Sequence, residues 1–173
     1  MELKNYIRTI ADFPEPGIMF RDVTTLFSDR DAYSAMIDEF KKLWVDVDID
    51  YVAGIDARGF IIGSALAYSL NVGFVPIRKK GKLPFKTFEQ DYNLEYGTAT
   101  LQIHQDAFKP NSKILLIDDL IATGGTALAA VKLLQSLDAE IVGASFLVDL
   151  PDLSGASALV SYGLNVKSIC AFD

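Results

Sequence analysis

The chain has 173 residues, of which half are apolar and 23% are charged, and this composition excludes an intrinsically disordered protein. Its 16 Lys and Arg residues against 23 Asp and Glu give a net charge of −7, which argues against a nucleic-acid partner held by the overall field. A lone cysteine, Cys170, excludes an internal disulfide and favours a cytoplasmic location. We expect a single domain over residues 1–173.

The N-terminal part of the chain predicts two helices around a turn. Apolar spacing favours a short amphipathic helix over Leu3–Ile10, and a Pro-rich turn follows at Phe13–Gly17. Ser28 with Asp31 three residues later is typical of a helix start, and this helix should run to about Trp44.

From Tyr51 onward the pattern alternates between strands and helices, which predicts an α/β fold with a mostly parallel sheet covered by helices. The predicted strands are Tyr51–Ile55, Phe74–Ile77, Leu94–Tyr96, Thr98–Ile103, Ile114–Ile117, Ile141–Val148 and Val166–Ala171. The predicted helices are Phe60–Leu70 and Thr126–Leu137. The uncharged stretch Gly59–Ile77 is long enough for a membrane span, but its Gly, Asn and Pro residues favour a buried helix and strand.

The strongest local signal is the segment Ile114–Thr126. An aliphatic strand ends in Asp118 and Asp119, a turn of small residues follows, and a helix begins. Free N–H groups at a helix start favour a phosphate, and two adjacent carboxylates can accept hydrogen bonds from vicinal hydroxyls. The pattern therefore indicates a ribose 5-phosphate site, and the alternative is an acidic strand–turn–helix corner without a ligand.

A cluster of cations precedes this segment and indicates a second anion site. It consists of Arg78, Lys79, Lys80, Lys82 and Lys86. The alternative is that these cations lie on a solvated loop without a ligand. The polar stretch Lys79–Asn93 that contains most of them is long for a connection, and connections of that length are usually functional or disordered. Arg58 stands at another strand–helix turn, where its forked guanidinium suits a phosphate group.

Four segments, in order and spacing, resemble the type I phosphoribosyltransferases. They are Phe13–Asp22, Gly54–Phe60, Arg78–Pro84 with Leu94–Gly97, and Leu115–Thr126. The resemblance covers nearly the whole chain and is to the adenine-using branch of the family. It implies a central, mostly parallel sheet flanked by helices, a small N-terminal base-binding hood over about residues 1–30, and a mobile catalytic loop over about residues 79–93.

The resemblance also implies a purine salvage reaction and its partners. Adenine and phosphoribosyl pyrophosphate (PRPP) would give AMP and pyrophosphate through an oxocarbenium-like transition state. Mg²⁺ would be the cofactor, held through PRPP and water rather than by protein ligands. The enzyme would be a cytoplasmic homodimer, with no nucleic-acid or membrane partner.

Site residues follow from the same resemblance, position by position. The PRPP-binding residues would be Arg58, Arg78, Lys79, Lys82, Asp118, Asp119, Ala122, Thr123, Gly124, Gly125 and Thr126. The adenine-binding residues would be Met19, Phe20, Arg21 and Leu150, with Phe20 stacking on the base. Glu95 would transfer a proton at the purine, and Arg58 would neutralise the leaving group. The lone His104 has no visible partner, which favours a structural role.

Two other functions remain open from the sequence. One is a transferase for another 6-substituted base, such as hypoxanthine, guanine or xanthine. The second is a regulator that senses PRPP without catalysis, which would need a surface for nucleic acid. The acidic composition and the retained Glu95 and basic cluster favour the enzyme.

Overall fold

The computed structural model describes residues 1–94 and 97–172. Within them the helices are α1 (Thr24–Ser28), α2 (Arg30–Trp44), α3 (Arg58–Leu70), α4 (Gly125–Gln135) and α5 (Gly155–Ser161), with 3₁₀ turns at Leu3–Tyr6 and Pro151–Leu153. The strands are β1 (Arg8–Ala11), β2 (Met19–Asp22), β3 (Tyr51–Ile55), β4 (Gly73–Lys79), β5 (Thr87–Leu94), β6 (Gly97–His104), β7 (Lys113–Ile121), β8 (Glu140–Asp149) and β9 (Val166–Ala171).

The main sheet has the order β5-β6-β4-β3-β7-β8-β9 in the part of the chain that the structure describes. The five neighbouring strands β4, β3, β7, β8 and β9 run parallel, and β6 pairs antiparallel with both β4 and β5. This confirms the predicted mostly parallel sheet flanked by helices. The carboxyl ends of β3 and β7 are therefore neighbours, which is where open α/β sheets bind ligands.

Helices cover both faces of the sheet, and successive side chains of a strand point to opposite faces, so each strand contributes to two cores. On β7, Leu115 and Ile117 pack in the core formed with α2 and α3, whereas Leu116 belongs to the core formed with α4. Phe40 of α2 is fully buried on the first side. The sheet therefore forms a rigid base for the loops that follow its strands.

The predicted N-terminal helix over Leu3–Ile10 is wrong. Leu3–Tyr6 forms one 3₁₀ turn, and Arg8–Ala11 is a strand that pairs antiparallel with β2, from Arg8 opposite Asp22 to Ala11 opposite Met19. Thr9 and Ile10 are β-branched, and such side chains fit a strand better than a helix. The hairpin of β1 and β2 lies within the predicted hood segment, and we refer to this hairpin as the hood.

The start of α2 lies one residue later than predicted. Asp29, not Ser28, is the N-cap, and its Oδ1 accepts hydrogen bonds from the backbone N–H groups of Asp31 (3.1 Å) and Ala32 (2.9 Å). Ser28 instead ends α1 and donates its hydroxyl to the carbonyl of Thr25. Two candidate caps adjacent in sequence explain the one-residue error.

The connection after β4 is shorter than the predicted loop over residues 79–93. Thr87–Leu94 forms β5, which pairs with β6 along its length, from Thr87 opposite His104 to Leu94 opposite Gly97. Only residues 80–86 connect β4 to β5. The mobility of this connection stays a prediction, and of the predicted strand Leu94–Tyr96 only Leu94 lies within the described residues.

The uncharged stretch after Gly59 folds into α3 and β4, as the sequence predicts. No helix within residues 1–94 and 97–172 has both the length and the apolar character needed to cross a membrane.

Candidate active site

A cavity of about 430 Å³ opens at the carboxyl ends of β3 and β7. Its lining comes from the two strand–helix corners, with Lys79 added from the end of β4 and Tyr92 from β5. The lining residues are Ile55, Asp56, Ala57, Arg58, Lys79, Tyr92, Asp118, Asp119, Leu120, Ile121, Ala122, Thr123, Gly124, Gly125, Thr126 and Ala127. The cavity thus brings together the predicted ribose-phosphate segment, Arg58 and one of the clustered lysines.

The turn between β7 and α4 is built for close approach to the backbone. Gly124 has φ of +86°, and a Cβ there would lie 3.0 Å from the carbonyl oxygen of Gly155. The N–H of Gly155 donates to the carbonyl of Ala122 at 3.0 Å, so α5 supports the turn from behind. The first N–H groups of α4 have no partner within the helix and point into the turn. This corner suits a phosphate group.

Asp118 and Asp119 lie beside this turn. The backbone N–H of Asp119 donates to Oδ1 of Asp118 at 2.8 Å, and Asp119 is only 5% exposed. Burial, followed by the neighbouring charge of Asp119, raises the pKa of Asp118. Burial also raises the pKa of Asp119, although the Arg58 guanidinium opposes that shift. A pair of carboxylates held in this environment is ready to accept hydrogen bonds from hydroxyl groups.

Gly59 allows the first turn of α3 to approach this pair. A Cβ at Gly59 would lie 2.8 Å from Oδ1 of Asp118 and 3.1 Å from the carbonyl oxygen of Ile117. Any larger residue would push the two strand–helix corners apart. The closeness of the corners explains how Arg58 reaches the carboxylates.

Arg58 links three parts of the site. Its Nε lies 2.8 Å from Oδ2 of Asp119, its guanidinium carbon lies 5.5 Å from the centre of the Phe20 ring, and its side chain lines the cavity. The predicted cation for the leaving group is therefore also the contact between the cavity and the hood.

The structure separates the other predicted cations. Lys79 lines the cavity, whereas Arg78 and Lys82 lie outside its lining. Arg78 places its Nε 3.3 Å from Oδ2 of Asp56 and donates from Nη1 to the carbonyl of Lys82, also at 3.3 Å. Lys82 is exposed. Arg78 thus borders the cavity through its pair with Asp56, whereas Lys82 lies in the connection after β4.

The predicted base-binding residues lie next to the cavity rather than in its lining. Phe20 packs edge-on against Phe13 with ring centres 5.1 Å apart, and Met19 is half exposed. Leu150 is tied to the end of β7, because its N–H donates to the carbonyl of Ile121 at 3.1 Å. Arg21 is already engaged, with Nη1 donating to Oγ1 of Thr9 at 2.6 Å.

Asp22 fixes the base of the hood. Its carboxylate accepts hydrogen bonds from the hydroxyl and N–H of Thr24 and from the guanidinium of Arg8. These contacts, with that of the Thr24 hydroxyl the largest, lower the pKa of Asp22 to about 2. The charge is therefore present at any physiological pH, and the β1–β2 hairpin is held to α1.

Sequence reasoning missed Asp56 and Tyr92 as cavity residues. Asp56 directly follows a predicted strand, so its place at the carboxyl end of β3 was a usable signal. Tyr92 gave no such signal because its segment was assigned to a loop. Glu95, the predicted proton-transfer residue, lies outside the described residues. His104 lies on β6, away from the cavity lining, beside the ring of Phe85.

The comparisons with known proteins agree with this geometry. A family model described as a phosphoribosyl transferase domain matches residues 29–162. An adenine phosphoribosyltransferase from Dinoroseobacter shibae is 58% identical over 171 residues, which cover 99% of this chain and 96% of that protein. The chain belongs to the adenine phosphoribosyltransferase family.

Solved structures of the family share the whole fold. The crystal structure of adenine phosphoribosyltransferase from Thermoanaerobacter pseudethanolicus matches with a TM-score of 0.95 at 43% identity, over 99% of this chain and 98% of that one. The Saccharomyces cerevisiae enzyme, complexed with adenine and an imino-altritol bisphosphate, matches with a TM-score of 0.92 at 37% identity, over 98% and 97% of the two chains. The order of elements around the cavity is therefore that of the family.

Proposed function

We propose that this chain transfers the phosphoribosyl group of PRPP to adenine in purine salvage, giving AMP and pyrophosphate. The single observation that carries the proposal is the cavity in which the α4 phosphate turn, the Asp118–Asp119 pair and Arg58 meet. Phosphate, two vicinal hydroxyls and a second phosphate group follow one another in PRPP in that order.

The substrate would bind along the lining of the cavity. The turn of residues 122–126 would hold the 5-phosphate through backbone N–H groups and the hydroxyls of Thr123 and Thr126. Asp118 and Asp119 would accept hydrogen bonds from the ribose 2- and 3-hydroxyls. Arg58 and Lys79 would meet the pyrophosphate at the opposite end of the cavity, joined by Arg78 of β4 and by Lys82 from the connection after β4.

Adenine would enter between the hood and Leu150. Phe20 offers a ring face next to Arg58, and Met19 and Leu150 add apolar surface. The base would thus lie beside the anomeric carbon of a ribose held by Asp118 and Asp119. Holding both reactants in this way converts a bimolecular step into one within a complex.

The chemistry needs stabilised charge more than a protein nucleophile. As the bond to pyrophosphate breaks, positive charge develops on the ribose ring, as in glycoside chemistry. Arg58 and the lysines would neutralise the leaving group, which gains negative charge in the same step. Glu95 would take part in proton transfer at the purine imidazole. The connection of residues 80–86 would exclude water and so prevent hydrolysis of PRPP.

Mg²⁺ fits the cavity as a cofactor held by its substrate. The carboxylates of Asp56, Asp118 and Asp119 all line the cavity, and Mg²⁺ prefers oxygen ligands while keeping several waters. These carboxylates could orient such waters, while the ion itself would be held by PRPP oxygens. When bound, it would neutralise charge on the pyrophosphate.

A homodimer in the cytoplasm completes the proposal. The outer face of α3 supports self-association, because Tyr68 is 90% exposed and Ile61, two turns away on the same face, is 43% exposed. Exposed apolar side chains on one face are typical of an interface. Sedimentation equilibrium would test the dimer, and Ile61→Glu should yield a monomer.

One competition experiment tests the reaction and the base together. The purified chain is incubated with PRPP, Mg²⁺ and equal amounts of adenine, hypoxanthine, guanine and xanthine, and the nucleotide products are separated. We expect AMP alone. IMP, GMP or XMP would contradict the base assignment. No nucleotide, with PRPP still bound, would contradict the enzyme and favour a regulator, which should then shift nucleic acid on a gel in a salt-sensitive manner.

A further inference from the structure

The last described residue, Phe172, joins the two walls between which the base would bind. Its backbone N–H donates to the carbonyl of Asp149 at 3.0 Å, which extends the β8–β9 ladder by one residue. Asp149 directly precedes Leu150, the predicted wall on the side of the sheet. The backbone of Phe172 is thus fixed to that wall.

The ring of Phe172 is fixed to the opposite wall, the hood. The guanidinium carbon of Arg21 lies 4.3 Å from the ring centre, and Nζ of Lys4 lies 4.6 Å from it. Phe172 is 9% exposed and packs in the same core as Leu3, Ile7 and Val23. Cation–π contacts are strongest where water is excluded, as it is for a ring this deeply buried.

Arg21 has its position set from two sides. Thr9 on β1 accepts from Nη1 of Arg21 at 2.6 Å, and the Phe172 ring covers the guanidinium. Arg21 follows Phe20 on β2, so the position of the Arg21 side chain fixes the strand that carries Phe20. Thr9 moves with the hood, whereas Phe172 belongs to the sheet. Of these two contacts, only that with Phe172 connects β2 to the main sheet.

We infer that Phe172 is a positioning residue for the base site, one that holds Arg21 and β2 at a fixed distance from Leu150. This inference rests on the proposed function, because it assumes that adenine binds between these walls. Phe172 itself would not touch the reacting atoms. Its loss should loosen the adenine pocket and leave the PRPP cavity unchanged, since Phe172 does not line that cavity.

The test compares Phe172→Leu with Phe172→Tyr in steady-state kinetics. Leucine keeps an apolar side chain but has no ring face, so KM for adenine should rise about threefold to tenfold, in keeping with the strength of a desolvated cation–π contact. KM for PRPP should stay within about twofold of that of the unmodified chain, given that no PRPP contact changes. Tyrosine keeps the ring face and should restore KM for adenine.

A second variant distinguishes the effect of the Arg21 contact from that of the Lys4 contact. Lys4→Met removes the other cation on the ring and should leave KM for adenine unchanged. Thermal unfolding is followed for every variant, and Phe172→Met replaces Phe172→Leu if the latter does not fold. Equal rises in both KM values, no rise in KM for adenine, or a Lys4→Met effect as large as that of Phe172→Leu would each overturn the inference. Absence of AMP formation by the unmodified chain would instead overturn the proposed function.

Discussion

Arg58, at the corner after β3, and Asp119, near the carboxyl end of β7, form an ion pair, with Nε of Arg58 2.8 Å from Oδ2 of Asp119. The residue proposed for the leaving pyrophosphate therefore already contacts one of the carboxylates proposed for the ribose. Asp119 is buried, so the guanidinium also offsets the cost of its negative charge. Binding of PRPP would exchange part of this contact for contacts to the substrate.

Arg58→Lys should lower kcat/KM for PRPP by about tenfold to hundredfold, because a lysine keeps the charge but loses the fork that can contact Asp119 and a phosphate together. Steady-state kinetics with PRPP varied would measure the loss. Arg30→Lys is the matched control, since the Arg30 side chain is 93% exposed and pairs only with its neighbour Asp31 among the described residues. Equal activity of the two variants would contradict the role of Arg58.

Asp118→Asn should stabilise the free protein and weaken PRPP binding. The folded-state pKa of Asp118 lies above its ordinary value, so the folded state binds the extra proton and stability falls as the pH rises between the two values. Asparagine has no charge to bury, so the variant should gain about 0.5–2 kcal/mol of stability at pH values above the folded-state pKa of Asp118. The asparagine Oδ1 can still accept from the N–H of Asp119.

Urea unfolding at several pH values would measure this effect. The gain should be largest above the raised folded-state pKa of Asp118, and it should shrink as the pH falls from that pKa toward the ordinary value of 3.8. Asp38→Asn, an exposed change on α2, is the control and should alter neither stability nor PRPP affinity. A variant less stable than the unmodified chain at pH 7 would show that the charge of Asp118 is already compensated.

Gly124→Ala should destabilise the chain and raise KM for PRPP. It combines a positive φ with a Cβ placed 3.0 Å from a backbone oxygen that cannot move freely. Gly163→Ala distinguishes the cost of backbone strain from the cost of the steric clash. Gly163 also has a positive φ (+104°), but it has open space around its Cβ position. The control should lose about 1–2 kcal/mol from backbone strain alone and keep its KM for PRPP. Thermal unfolding and kinetics on both variants would show whether the clash with Gly155 matters.

Phe20→Leu should raise KM for adenine about threefold to tenfold, with KM for PRPP unchanged, because aromatic stacking contributes about 0.5–1.5 kcal/mol beyond buried area. Tyr162→Leu, an exposed aromatic on the far side of α5, is the control. A rise in KM for PRPP alone would place Phe20 at the PRPP cavity through Arg58 rather than at the base.

Elements of the fold and of the site are predicted correctly where a single local feature of the sequence, such as an apolar run or a turn of small residues, determines the structure. β3 begins and ends where predicted because its apolar run is bounded by Asp50 and Asp56, and β9 also matches its predicted bounds. The small residues 122–124 form the predicted turn, but β7 continues to Ile121, so Asp118 and Asp119 lie on the strand rather than after it. Arg58 and Lys79 reach the same cavity because parallel strands expose their carboxyl ends at one edge of the sheet.

The wrong predictions come from contacts distant in sequence. Arg8–Ala11 is a strand because β2 lies beside it, and a helical spacing at Leu3–Ile10 cannot reveal that partner. Thr87–Leu94 forms an edge strand whose charged Glu89 and Asp91 are solvated, so its polarity resembles that of a loop. The pairing of Arg78 with Asp56 at the border of the cavity joins two different strand ends, which no local pattern predicts.

The pairing of β3 with β7 has a consequence for how the chain folds. The two corners of the PRPP cavity follow strands that are neighbours in space, yet β4, β5 and β6 all lie between them in the sequence. A nascent chain that has reached only β6 therefore has Arg58 but no phosphate turn. Such distant pairings form slowly, and PRPP can bind only after they are complete. The substrate should consequently act as a folding ligand, adding about 2.7 kcal/mol of stability at a concentration one hundred times its Kd.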